Sequence, residues 1–340
     1  MSVARILVGR KTIVAEVPVK GFYVLDGGLL IRNKFTRNMG YIIDGLLRLV
    51  NVNVFDENGA SNTIITGDGG LIRSVSNATE QGPTVFVQFG TGTAPPTVND
   101  NNLASPSATL PTSYIDVVEG INNTSILIAS RYSLSSHVNV TEIGLKLINN
   151  VLFNYITLLS RAVLSSAVSR SPYTIYFDGY QITFPAEFTR WFVRALYCAM
   201  IGHRKRPTIC LPAKAFDGSD YSIQSGAPFA GSPDVVIGSD NTPTLPTSVN
   251  LRSPIASLSS QSQMVEVDTS LNEVRVVRIG TYTPTRTVTL GEIGLFANIN
   301  GFVGATVVGR RTLLVRVALP TPVTLNAGTV YTLGIVLRLS

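Results

Sequence analysis

Charge is scarce in this chain. Asp, Glu, Lys and Arg make up 14% of 340 residues, against about 25% in an average soluble protein. A surface so poor in charge must find another use, and contact with neighbouring subunits is one, because interface cores are depleted in charge. The two cysteines, Cys198 and Cys210, form no C-x-x-C and cannot build a zinc site alone. Cys198 sits in an apolar, helix-like stretch and reads as a core residue. Histidine occurs only at His137 and His203, so a serine nucleophile has few bases to choose from. The motifs G-x-S-x-G, H-E-x-x-H and G-x-x-x-x-G-K-[ST] are missing, and no enzyme, cofactor or metal is expected. No apolar run of about 18 residues occurs, which predicts no transmembrane helix. The start, "MSVARILVGRKTIVAEV", alternates like a strand and lacks the h-region of a signal peptide.

The cations are mostly arginine, 21 Arg against 6 Lys, and the net charge is +6. Arg suits interfaces better than Lys because its guanidinium is weakly hydrated and bidentate. The tight basic run His203-Arg204-Lys205-Arg206 is the one candidate contact for nucleic acid.

The chain also repeats itself. "TEIGL" at 141–145 returns as "GEIGL" at 291–295. Around it, other landmarks recur in the same order. Phe35-Thr36-Arg37 returns as Phe188-Thr189-Arg190, and each is preceded by Asp-Gly, at Asp26-Gly27 and Asp178-Gly179. Gly90 matches Gly238, Leu103-x-Ser105-Pro106 matches Leu251-x-Ser253-Pro254, and Tyr132 matches Tyr282. "SRAVL" at 160–164 faces "RRTLL" at 310–314, and "YTIYF" at 173–177 faces "YTLGI" at 331–335. The offsets run from 148 to 158, too long for a solenoid period. The pattern predicts a tandem duplication: an N-terminal arm over 1–20, one β-sandwich copy over 21–178 and a second over 179–340.

Each copy reads as strand, Asp-Gly turn, strand, then helix. The helices show apolar stripes at Ile42, Ile43, Leu46, Leu47 and Val50, and at Phe192, Ala195, Leu196, Ala199 and Met200, with Thr36 and Thr189 as N-cap candidates. The remainder is strand-like, including "VEVDTSLNEVRVVRI" as two strands around a polar turn. Long Gly- and Ser-rich loops are expected over 51–82 and 203–233, and extended surface connections over 91–112 and 238–262. The fold class is therefore mainly β with a helix per repeat.

The recurring carboxylates Glu142 and Glu292 are the most interesting charges. Each occupies the same place in a different copy, so a shared catalytic cleft is not expected. Arg161 and Arg311, at matching places in the letter alignment, are their expected partners.

The order helix, "GTGTAPPT…NDNNL", hairpin, "TEIGL", "SRAVL", "YTIYF" resembles small virion structural proteins of tailed bacteriophages and archaeal viruses. The resemblance covers most of the first copy and, more faintly, the second, where "GSDNTPTLP" stands in place of the Gly-Thr-Gly loop. It implies a particle component located in the virion: capsid, tail or baseplate, assembling with copies of itself and other virion proteins. The double-copy layout also resembles double jelly-roll capsid proteins. The alternative function is a receptor- or carbohydrate-binding sandwich, for which Tyr221, Phe216 and Phe229 are the loop aromatics.

Overall fold

A computed structural model of the chain describes residues 5–8, 11–48, 50–64, 85–110, 112–149, 155–200, 209–225, 228–231 and 233–340. Of these, 62% are strand and 8% helix, far from the mixed average, so the protein is mainly β.

Numbered in chain order, the strands of the largest sheet run in the order β18 (Ser259–Asp268), β19 (Glu273–Tyr282), β22 (Tyr331–Leu339), β2 (Thr12–Leu25), β13 (Tyr176–Pro185), β10 (Asn123–Tyr132) and β9 (Tyr114–Glu119). The short β1 (Arg5–Val8) and β3 (Leu29–Arg32) also pair with β2. The order is palindromic about β2: a hairpin and one further strand lie on each side. β2 meets β22 in parallel and β13 antiparallel. Its apolar run, "TIVAEVPVKGFYVL", suits a strand with neighbours on both sides and a core beneath.

A second sheet runs β4 (Lys34–Phe35), β12 (Tyr155–Arg170), β11 (Val138–Asn149), β7 (Val85–Gly90), β8 (Pro106–Leu110). A third contains β14 (Ile209–Lys214), β15 (Asp220–Gln224), β20 (Val288–Val303), β16 (Asp234–Gly238) and β17 (Pro254–Ser257), with β21 (Thr306–Leu325) on β20. β5 (Val52–Phe55) and β6 (Ser61–Ile64) form a separate hairpin.

The helices are α1 (Arg37–Arg48) and α2 (Arg190–Met200). The stripe Ile42, Ile43, Leu46 and Leu47 is buried, as are Phe192, Ala195, Leu196 and Ala199. Val50 lies past the end of α1 and is exposed. Each helix is anchored by its threonine. Thr36 Oγ1 donates to the Leu158 carbonyl and Thr189 Oγ1 to the Leu313 carbonyl, both at 2.6 Å. Only Thr189 also caps with its side chain, accepting from the Phe192 N–H at 3.3 Å. α1 lies against β12, β18 and β19, and α2 against β9, β10 and β21. Each helix therefore packs partly on strands from the other half of the chain.

Several expectations are corrected. Asp178-Gly179 is not a turn like Asp26-Gly27 but lies inside β13. Its aspartate is tied into a buried ion pair, and a Cβ on Gly179 would stand 2.5 Å from the Ile128 carbonyl oxygen. The glycine is thus there for close strand approach. The boundaries after residues 20 and 178 fall inside β2 and β13, and one hydrophobic core holds residues of both halves, from Ile13 and Phe89 to Leu295 and Leu333. Residues 12–20 of the expected N-terminal arm belong to the central strand β2, where they pair with β22. The described parts of 51–82 and 203–233 include the hairpins β5–β6 and β14–β15. Cys198 is buried but joined to Cys210 in a disulfide spanning 12 positions.

Candidate functional site: two buried carboxylate–arginine centres

β11 carries Glu142 into the interior, where it is fully buried. A register irregularity between Val140 and Glu142 re-aims the side chain, as β-bulges do. Arg161, across the hairpin on β12, donates to Glu142 Oε2 from Nε at 2.9 Å and from Nη2 at 2.7 Å. The loop after β7 closes over the pair. The N–H groups of Gly92 and Ser105 donate to Oε1 at 3.0 and 2.7 Å, and that of Ala104 to Oε2 at 3.0 Å. Arg161 also donates to Asp100 Oδ2 at 2.8 Å and to the Ala94 carbonyl at 3.0 Å. Burial alone lowers the Arg161 guanidinium, but the bonds to Asp100 and Glu142 outweigh it and raise it above its ordinary value. Gly90 leaves room for the carboxylate: a Cβ there would lie 2.5 Å from Glu142 Oε1.

The second half contains the same arrangement. Glu292, fully buried on β20, accepts from Arg316 Nε at 2.6 Å, from the Ser253 N–H at 2.9 Å and from the Arg252 N–H at 3.3 Å. Arg316 continues to Asp240 Oδ1 at 3.4 Å and the Pro243 carbonyl at 3.5 Å. A Cβ on Gly238 would lie 2.4 Å from Glu292 Oε1.

Arg311 is not the partner of Glu292. It is partly exposed, pairs with Asp234 at 2.7 Å and stacks over the Phe296 ring at 4.8 Å. Glutamate and arginine stand 19 positions apart in the first half and 24 in the second, because the β20–β21 hairpin is longer. The signal lay in wider windows: "LLSRAVL" at 158–164 aligns with "LLVRVAL" at 313–319, which brings Arg161 onto Arg316. Asp100 and Asp240, the outer carboxylates, stand inside the quoted "NDNNL" and "GSDNTPTLP" stretches, but the motifs assigned neither a role.

The pairing register repeats too. Glu142 faces Gly90 and Glu292 faces Gly238; Gly90 faces Pro106 and Gly238 faces Pro254. Tyr132 faces Tyr176 where Tyr282 faces Tyr331, so Tyr176, and not Tyr173, corresponds to Tyr331.

One charged cluster is specific to the first half. Arg170 Nη2 donates to both Asp178 oxygens, at 2.8 and 3.0 Å, and the Asp26 N–H donates to Oδ1 at 2.6 Å. Tyr132 Oη donates to the same carboxylate. At the matching register positions, opposite Val288 and Gly280, stand the buried Leu325 and Leu333.

The chain matches no protein-family model, no curated protein and no solved structure. The geometry must speak for the site. Each Glu carboxylate has backbone N–H groups and a guanidinium on its oxygens, and such charge-assisted bonds are the strong ones. It is bonded throughout to the protein's own groups, an arrangement suited to pinning a loop on a sheet. Among the described residues, no group of three or more His, Cys, Asp or Glu side chains is placed to hold a metal ion, and no helix is long and apolar enough to cross a membrane. His137 lies at the surface, with Nε2 3.1 Å from Asn139 Oδ1. Of the three loop aromatics, Tyr221 and Phe229 are core residues and Phe216 is exposed. The basic run His203–Arg206 lies outside the described residues.

Proposed function

We propose that this chain is a non-enzymatic structural subunit of a virion of the tailed-bacteriophage or archaeal-virus type, a capsid, tail or baseplate component that assembles with copies of itself and with other particle proteins. The observation that carries the reading is the outward face of the large sheet. Tyr114, Ala129, Gly179, Val24 and Leu30 form one row across β9, β10, β13, β2 and β3. On the same face, by strand alternation, lie Val118 and Phe177. Tyr114, Val118, Leu30 and Phe177 are each at least half exposed. Charged side chains are interleaved on this face, Asp116 accepting from the Tyr114 hydroxyl and Arg131 lying over the Phe177 ring; exposed aromatics set beside arginine are the composition that interfaces favour, and low overall charge fits the same use.

We also read the two halves as copies of one sandwich unit. Supporting this are the matched Glu–Arg centres, the matched threonine anchors and the repeated pairing register. Each unit sets a sheet of β7, β8, β11 and β12 type beside strands of β9, β10 and β13 type. The pairing of β7 with β8, β9 with β10 and β11 with β12 supports a hairpin-built sandwich more than a jelly roll of two Greek keys. A ring of such chains would present two similar units per subunit. The receptor- or carbohydrate-binding alternative has less support, since two of its three aromatics are in the core.

Electron microscopy of the purified full-length protein tests the reading. Rings, shells or tubes are expected. A dispersed monomer that retains a glycan on an array overturns it in favour of the alternative.

A further inference from the structure

The fold buries one lysine that its architecture does not require. Lys146 on β11 is fully buried, opposite Phe86 and Leu158 on its two neighbouring strands, with a register irregularity just before it that turns the side chain. The second half has the same irregularity just before Phe296, which takes the corresponding place, opposite Leu313, and packs with Val236, Leu251 and Leu313. An aromatic ring therefore satisfies this position in the same type of sheet. A buried ammonium costs free energy, so its retention at 146 calls for a reason.

Its neighbours supply one. Lys146 Nζ lies 2.6 Å from Asn102 Oδ1 and 3.2 Å from Glu57 Oε2. The Leu103 N–H donates to the same Asn102 Oδ1 at 2.9 Å, which fixes the orientation of the amide and polarises its carbonyl. The second half keeps the asparagine turn, with the Leu251 N–H donating to Asn250 Oδ1 at 2.8 Å, but Phe296 leaves it without an amine. In the first half alone, a buried amine, a polarised carboxamide and a carboxylate converge.

We propose that Lys146 and Asn102 form an intramolecular amide cross-link, with Glu57 as the proton shuttle. Neutral Nζ attacks Cγ of Asn102 and a new C–N bond forms. The carbonyl electron pair moves onto Oδ1, where the Leu103 N–H stabilises it. The Glu57 carboxylate takes one proton from the attacking nitrogen and delivers it to the departing Asn102 nitrogen. The C–Nδ2 bond breaks and ammonia leaves, so one lysine amine and one carboxamide give one secondary amide and one ammonia. Glu57 returns to its starting state. Burial, opposed in part by Glu57, lowers the Lys146 amine below its ordinary value, which favours the neutral nucleophile. The product ties the loop over the Glu142–Arg161 centre to β11 across 44 positions. The inference stands independently of the virion reading.

The intact mass of the folded, full-length protein decides it, read after denaturation and with the disulfide allowed for. A mass lighter by one ammonia is expected, together with a branched peptide joining Asn102 to Lys146 after digestion. Lys146→Phe, which copies the second half's Phe296, should fold and keep the full mass. Glu57→Gln should slow cross-linking about 100-fold or more. A cooperatively folded wild-type protein that keeps its full mass after prolonged incubation overturns the proposal, as does a branched peptide at other residues. Unchanged cross-linking in Glu57→Gln overturns the role given to Glu57.

Discussion

Arg316 donates to Glu292 at 2.6 Å, five positions beyond the arginine that the repeated letters assign to that carboxylate. The relationship ranks two neighbouring arginines by the work they do. Arg316 Nε serves a fully buried acid, so Arg316→Ala should cost about 3–5 kcal/mol by removing the guanidinium from a buried ion pair. Arg311 sits in a partly exposed pair with Asp234, and Arg311→Ala should cost no more than about 1 kcal/mol. Urea unfolding midpoints of the two variants test the order. Equal losses would contradict it.

The Arg170–Asp178 pair and the Leu325–Leu333 positions offer a natural exchange. Breaking the ion pair singly, as Arg170→Leu or Asp178→Leu, should cost about 3–5 kcal/mol. The double replacement copies what the second half already does, and buried pairs replaced by apolar residues are often neutral or better. The double variant should therefore melt above either single one, a coupling that a double-mutant cycle measures.

Alkaline pH should unfold the protein cooperatively. Tyr23, Tyr180 and Tyr221 are buried, and burial raises each phenol above its ordinary value of about 10. The folded state keeps protons that the unfolded chain releases. Stability from these groups is therefore intact below about pH 10 and falls as pH rises past it, by up to about 1.4 kcal/mol per unit for each group. Tyrosinate absorbance followed with pH should show exposed phenols titrating first and the buried ones appearing only with unfolding. A single smooth titration of all tyrosines in folded protein would contradict this.

The disulfide closes a short loop, from Cys198 at the core face of α2 to Cys210 on β14. Loop-closure entropy gives such a link about 3 kcal/mol. A Cys198→Ala, Cys210→Ala variant should melt several degrees lower than wild type, whereas a reductant should leave that variant unchanged.

Much of this was legible in the residues. Helix stripes, the Asp26-Gly27 turn, the β18–β19 hairpin and the recurrence of Glu142 and Glu292 all rest on local periodicity or matched letters. What escaped depended on insertions and on tertiary contact. The longer β20–β21 hairpin shifted the true arginine away from its look-alike. Asp178-Gly179 carries the same letters as a turn, yet the Arg170 ion pair and the close approach of β10 hold it in a strand. The convergence of Lys146, Asn102 and Glu57 spans three distant segments and has no sequence pattern. The sharing of β2 between the two halves follows from sheet order, which periodicity does not encode.

Native mass measurement of wild type beside a Tyr114→Glu, Phe177→Glu variant tests the central claim most directly. Both substitutions fall on the exposed sheet face and should leave the variant cooperatively folded. The account predicts a defined oligomer for wild type and a monomer for the variant. A wild-type protein that stays monomeric at every concentration, indistinguishable from the variant, would contradict it.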